Sequence, residues 1–195
     1  MSSVTTIPIA SLLLGFVPVL LLIGIMQAWG LNALQSMYAN IRMLVQLLLI
    51  GYVLTYIFET DEPVLVVLVV VFMIAMSSWI ALRPLTDRGI KPYTIVAIAI
   101  GVSGLGVLIL ITQIILELPR WFEPRFVIPL AGMVFANSMN TISLAGERFH
   151  AERGRGEDYL SARRLAMEAA MIPQVNALLA VGLVSLPGMM TGQIL

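Results

Sequence analysis

The chain has no cysteine, a single lysine (Lys91) and a single histidine (His150), and only 11% of its 195 residues are charged. Soluble domains carry roughly a quarter. Each scarcity excludes something. Without cysteine there are no disulfides, thiolate metal sites or thiol nucleophiles, although this does not say which redox compartment holds the protein. Because the one lysine follows Ile90, no Gly-Lys-Ser/Thr occurs and a phosphate-binding P-loop is excluded. Eleven basic and eleven acidic residues cancel, and no polybasic arm exists, so nucleic acid is not an expected partner. No paired carboxylates, histidine cluster or nucleophile–base pair falls inside an apolar run, which argues against an enzyme and for no cofactor bound by this chain itself.

What the chain has in abundance is apolar length, at 59% hydrophobic residues. A helix needs about twenty mostly apolar residues to cross a bilayer. Six segments qualify, near 7–29, 38–58, 64–82, 93–116, 127–145 and 171–195, and the first, with no basic leader, reads as a retained anchor. The expected fold is therefore all-α, a polytopic membrane helix bundle of about six spans forming one domain over 1–195. Basic residues gather on one side of this arrangement. Arg42, Arg83, Arg88, Lys91, Arg148, Arg153, Arg155, Arg163 and Arg164 make nine of eleven, with Arg120 and Arg125 opposite. Since cytoplasmic loops collect Lys and Arg, the N-terminus is expected outside, in a multi-pass protein of the inner (plasma) membrane.

Polar residues at membrane depth are the next signal. In "IPLAGMVFANSMNTISLAGERF" (128–149), Gly132, Ala136, Asn140, Ser143 and Glu147 recur at helical spacing, with Asn137 on the shoulder of the stripe. Small residues let helices approach, and Asn bonds across them, so packing accounts for the small positions. Polar groups in a span also mark translocation routes. Asn137 and Asn140, with Gln174 and Asn176 from the last span, are the candidate lining of such a route. Pro187 and Gly188 are expected to break the last helix, either for packing or beside a substrate. "GVSGLG" (101–106) lies inside an apolar run and reads as helix packing. The methionines read as core filling and His150 as a solvated loop residue, leaving any metal site unknown.

The polar stretch 146–170 contains "GEDYLSARRLAMEAAM", which can form an amphipathic helix suited to docking on a partner, a lipid surface or water alone. The runs "IPLAGMVFANSMNTISLAGERF" and "VGLVSLPGMMTGQIL", with Arg42 in "RMLVQLLLIGYVLTYIF", resemble the permease family of ABC transporters that includes the bacterial iron exporter and plant aluminium-tolerance permeases. The resemblance implies a transport permease for iron or another metal or small solute. It implies pairing with a separate ATP-binding subunit that binds the ATP, an assembly of two permeases with two ATPases, and a further helix beyond residue 195. It also implies that 146–170 is the cytoplasmic coupling loop, with Glu147, Arg148, Arg163, Arg164 and Glu168 as candidate contacts to the ATPase. The family's loop is longer between Glu147 and Ile172. A non-transporting or degenerate membrane scaffold is the alternative reading.

Overall fold

The computed structural model describes residues 14–59, 62–85 and 88–181. Every regular element in these residues is helical. The chain separates into two compact units at Glu59.

The first unit contributes α1 (Val17–Ala28) and α2 (Ala33–Glu59), which pack on each other. Trp29 caps α1, and Gly30, at φ +69°, turns the chain into Leu31 and Asn32. Such a left-handed backbone favours glycine. The Asn32 side chain then accepts from the Gln35 amide at 3.1 Å and starts α2. The connection expected over Gly30–Met37 is thus shorter than the drop in hydropathy suggests.

The second unit holds α3 (Pro63–Ala81), α4 (Ile90–Ile109), α5 (Pro124–Gly154) and α6 (Tyr159–Ala180). Proline opens both α3 and α5, where its missing N–H costs nothing. Helix α4 runs directly into a π-helical turn, Leu110–Ile115. Helix α5 is the hub, packing against α3, α4 and α6. Its core face is Val127, Ile128, Ala131 and Phe135. Two glycines let neighbours close in. A Cβ on Gly104 would lie 2.5 Å from the Phe135 ring, and one on Gly146 would lie 2.7 Å from Leu85. The glycine-rich run of α4 therefore does serve packing, as expected.

Three contacts fix the direction of the helices. Met73 of α3 reaches Gly132, the Ser143 hydroxyl donates to the Ala81 carbonyl at 3.0 Å, and Leu85 sits on Gly146. The α3–α4 turn consequently lies at the same end of this unit as the C-terminal half of α5. Arg83, Arg88, Lys91 and the arginines 148–164 share that end. Arg120 and Arg125 occupy the connection at the other.

Four helices among the described residues are long and apolar enough to cross a membrane, namely α2, α3, α4 with its π-turn, and α5. The protein is a polytopic membrane helix bundle. Two boundaries differ from expectation. The fifth span continues as helix to Gly154, because Glu147, Arg148, Ala151 and Glu152 are good helix formers even though they end the apolar run. Its 31 residues reach about 46 Å, well beyond a hydrocarbon core of about 30 Å. The polar stretch 146–170 is accordingly a helical extension, a short turn at Arg155–Asp158 and the first half of α6.

Candidate functional site

The α5–α6 pair carries every described candidate. The turn joining the two helices is built locally. Gly156 takes φ +94°, and Asp158 caps α6 by accepting from the Ser161 amide at 3.1 Å. Hydrogen bonding from Ser161 holds the Asp158 carboxyl below its ordinary value of 3.8. The chain then returns along α5, with Ala162, Ala166 and Ala170 buried at four-residue spacing as a smooth seam. Pro173 sits inside α6 without ending it and frees one backbone carbonyl a turn earlier.

One residue later the two helices are tied. Gln174 donates through Nε2 to Thr141 Oγ1 at 2.9 Å, and the Thr141 hydroxyl donates in turn to the Asn137 carbonyl at 2.9 Å. This is the one candidate that the structure places in direct contact with the asparagine segment of α5. Asn137 and Asn140 lie on a different face, exposed, together with Met133, Ala136, Leu144 and Glu147. Their side chains hydrogen-bond to nothing among the described residues. Asn176 is exposed and two residues past Gln174, so it points away from the Thr141 contact. The small stripe thus divides: Gly132 and Ser143 meet α3, while Ala136, Asn140 and Glu147 form an open polar-edged face. Pro187 and Gly188 lie outside the described residues.

The five coupling candidates do not form one cluster. Arg164 and Glu168 pair with each other along α6 at 2.8 Å, both exposed. The hydrogen bond to Glu168 raises the Arg164 pKa above the ordinary arginine range. Arg163 instead edges a groove of about 350 Å³ with Leu85, Gly146, Phe149, Tyr159 and Met167. Glu147 is exposed on α5 with no partner among the described residues. Arg148 turns inward, where Nη2 meets Glu152 Oε1 at 2.7 Å, and Arg155 reaches the same oxygen at 2.8 Å. Glu152 is buried, and the Nε of Arg148 is buried with no hydrogen-bond partner. Sequence reasoning missed Glu152, although its spacing from Arg148 (i,i+4) and Arg155 (i,i+3) is the visible signal for such a pair. His150, expected in a loop, is on α5 with its ring edge-on to Phe149 at 6.0 Å.

Among the described residues, no three His, Cys, Asp or Glu side chains come together in a way that could hold a metal ion. A second cavity, of about 300 Å³, lies between α3 and the π-turn and is lined by Val66, Val70, Leu108, Thr112, Gln113 and Trp121, among others. Its lining is almost wholly apolar, as a lipid-facing groove would be.

A polytopic helix bundle with amides and hydroxyls set into its longest span is the architecture of a membrane protein that does more than anchor. The family model described as "Uncharacterised protein family (UPF0014)" matches residues 9–162 and 157–195, and the chain belongs to that family. Among its relatives, UPF0014 membrane protein slr1647 of Synechocystis is 35% identical over 89% of this chain and 73% of its own length. UPF0014 membrane protein YjkA of Bacillus subtilis is 38% identical over 80% of this chain and 67% of its own. The Escherichia coli protein named "Probable iron export permease protein FetB" is 34% identical over 78% of this chain and 63% of its own. The chain thus spans about two thirds of the length of the relatives it matches. No solved structure matches it.

Proposed function

We propose that the chain is the membrane-spanning permease subunit of an ABC-type transporter, exporting iron or another metal or small solute with energy from a separate ATP-binding subunit. The observation that carries this reading is the α5 face on which Asn137 and Asn140 stand exposed within a span, next to the Gln174–Thr141 tie. Unpaired amides at membrane depth are costly unless they meet water, a substrate or another polar chain. A relative named as a probable iron export permease, aligned over 78% of this chain, supports the same class.

In this reading the open face of α5 lines a route between two copies of the permease. The basic end of the second unit faces the cytoplasm, by the excess of Arg and Lys there. The N-terminus is then outside, and the membrane is the inner (plasma) membrane. The groove bordered by Arg163, with Glu147, Arg164 and Glu168 exposed nearby on the same two helices, receives the ATPase. Arg148 acts by holding the end of α5 straight through Glu152.

The test is co-expression with the ATP-binding protein carrying GxxxxGK[S/T] from an adjacent reading frame. Affinity copurification is followed by ATPase assays with ferrous iron and other divalent metals, and by export from vesicles. Association with metal-stimulated hydrolysis and export is expected. Failure of the two chains to associate at matched expression would return the protein to the scaffold class.

A further inference from the structure

We propose that the cleft at the α3–α4 turn, walled by Trp79 and Tyr93 and edged by Arg83 and Arg88, holds the headgroup phosphate of an anionic phospholipid. The cleft has a volume of about 310 Å³, with Leu82, Gly89 and Ile90 completing its lining. Its position in the bilayer follows from helix length. Helix α3 has 19 residues, so it rises about 28 Å from Pro63 to Ala81, close to the thickness of the hydrocarbon core. Leu82, Arg83 and Arg88 to Ile90 then lie where hydrocarbon gives way to headgroups, whichever side of the membrane this end faces.

The side chains suit that depth. Trp and Tyr concentrate at membrane–water interfaces, with an apolar body toward the lipid and a polar edge toward water. Tyr93 is fixed in place by donating its hydroxyl to the Ala75 carbonyl at 3.3 Å. Arg88 is pinned across the turn, its Nε donating to the Leu85 carbonyl at 3.0 Å and its Nη2 to the Arg83 carbonyl at 2.7 Å. Those bonds set the orientation of the guanidinium on a residue that remains exposed. The Arg83 side chain is exposed and makes no ion pair among the described residues. The result is two guanidinium groups at one mouth, one pre-positioned and one adaptable, with Lys91 close by in sequence. Phosphate geometry suits guanidinium forks. The apolar floor and aromatic walls favour a lipid over a soluble anion, because they offer acyl chains a way out of the cleft into the surrounding bilayer.

The experiment uses the purified full chain in neutral detergent. Native mass spectrometry counts adducts of phosphatidylglycerol and phosphatidylcholine with identical acyl chains, with and without inorganic phosphate as competitor. Arg83→Gln is the informative variant, because the Arg83 side chain makes no hydrogen bond or ion pair among the described residues. Arg83→Gln/Arg88→Gln is the stronger one, and Arg163→Gln is the control at the same end of the unit. Preference for phosphatidylglycerol is expected in the parent, to fall about fivefold with Arg83→Gln and further in the double variant, and to persist in Arg163→Gln. Equal binding of the two lipids by the parent, or an unchanged preference in Arg83→Gln, would overturn the proposal. So would an equal loss in Arg163→Gln, which would reduce the effect to general surface charge. Displacement of the lipid by millimolar inorganic phosphate would assign the cleft to a soluble anion instead. If lipid preference is unchanged in the double variant while copurification of the ATP-binding chain is lost, the cleft is a protein-docking surface and the lipid assignment fails.

Discussion

Gln174 of α6 and Thr141 of α5 are joined by a 2.9 Å hydrogen bond between Nε2 and Oγ1, and the same hydroxyl donates to the Asn137 carbonyl one turn back along α5. The bond is part-buried and ties α6 to α5 at one register. Interhelical hydrogen bonds in membranes average about 0.6 kcal/mol and reach about 1.7. A double-mutant cycle of Thr141→Val and Gln174→Leu, read by unfolding in detergent or by steric trapping in bilayers, should return a coupling energy in that range. Strict additivity of the two substitutions would mean that the helices are held by the alanine seam alone.

A tighter relationship exists between α4 and α5. Because a Cβ on Gly104 would sit 2.5 Å from the buried Phe135 ring, Gly104→Ala must displace either the ring or the helix. Overpacking of this kind costs about 1–3 kcal/mol. The thermal midpoint in detergent should fall accordingly, and Phe135→Leu should restore part of the loss in the Gly104→Ala background. If the smaller ring substitute restores nothing, the close approach is not what the glycine provides. By contrast, Gly106→Ala meets open space within the chain and should be nearly neutral for folding.

These contacts show which parts of the molecule can be read without coordinates. The helical spacing of Gly132, Ala136, Asn140, Ser143 and Glu147 was legible, because periodicity is local. Which members of that stripe are covered was not, since it depends on where α3 crosses, and only Gly132 and Ser143 meet it. Of the six apolar runs, four coincide with helices long and apolar enough to cross a membrane, α2 to α5. They could not mark the end of α5, because hydropathy reports the bilayer boundary while helix propensity carries the chain on to Gly154. Glu152 was overlooked for the same reason. A carboxylate in a polar stretch reads as solvated until the stretch is known to be helix, whereupon Arg148 and Arg155 fall within reach of one oxygen.

The two ion pairs near this end should behave differently. Glu152 is buried and shared by two arginines, whereas Glu168 pairs with Arg164 in the open. Glu152→Ala removes two charged hydrogen bonds accepted by a buried carboxylate, which costs about 1–3 kcal/mol, while exposed pairs contribute about 0–1 kcal/mol and are screened by salt. Differential scanning in detergent should therefore show a clear loss for Glu152→Ala at any ionic strength and almost none for Glu168→Ala. Equal effects would indicate that the buried carboxylate is not the anchor of the α5 terminus.

The start of α6 should respond to acid. Asp158 holds its proton more weakly in the folded chain than free aspartate, because the carboxylate accepts from Ser161. A depressed folded value means the cap's contribution is complete above the unfolded value of 3.8 and is lost as the pH falls through the lower folded value. Amide exchange at Leu160 to Arg163 should stay slow between neutral pH and about pH 4, after correction for intrinsic rates, and quicken only below that. Asp158→Ala should show the quickened exchange at every pH. Protection that is already lost at pH 6 would point to another titrating group.

The asparagines decide between gluing and lining. Asn137 and Asn140 are exposed on the α5 face that carries Met133, Leu144 and Glu147, and their side chains hydrogen-bond to nothing among the described residues. If they only bind a neighbouring helix, Asn140→Leu removes an interaction worth about 0.6 kcal/mol, and export should continue nearly unchanged at matched protein levels. If they line a route, the same change places an isobutyl group where a polar solute or its hydration shell must pass. Export from vesicles should then drop by about tenfold or more, since 1.4 kcal/mol at a barrier is a factor of ten. Expression and copurification of the ATP-binding chain should be preserved, which separates a blocked route from a broken assembly. Asn140→Gln, which keeps the amide, should retain more export than Asn140→Leu. Parent-level export by the leucine variant would assign Asn140 to packing and shift the search for the route to the Gln174 side of the helix pair.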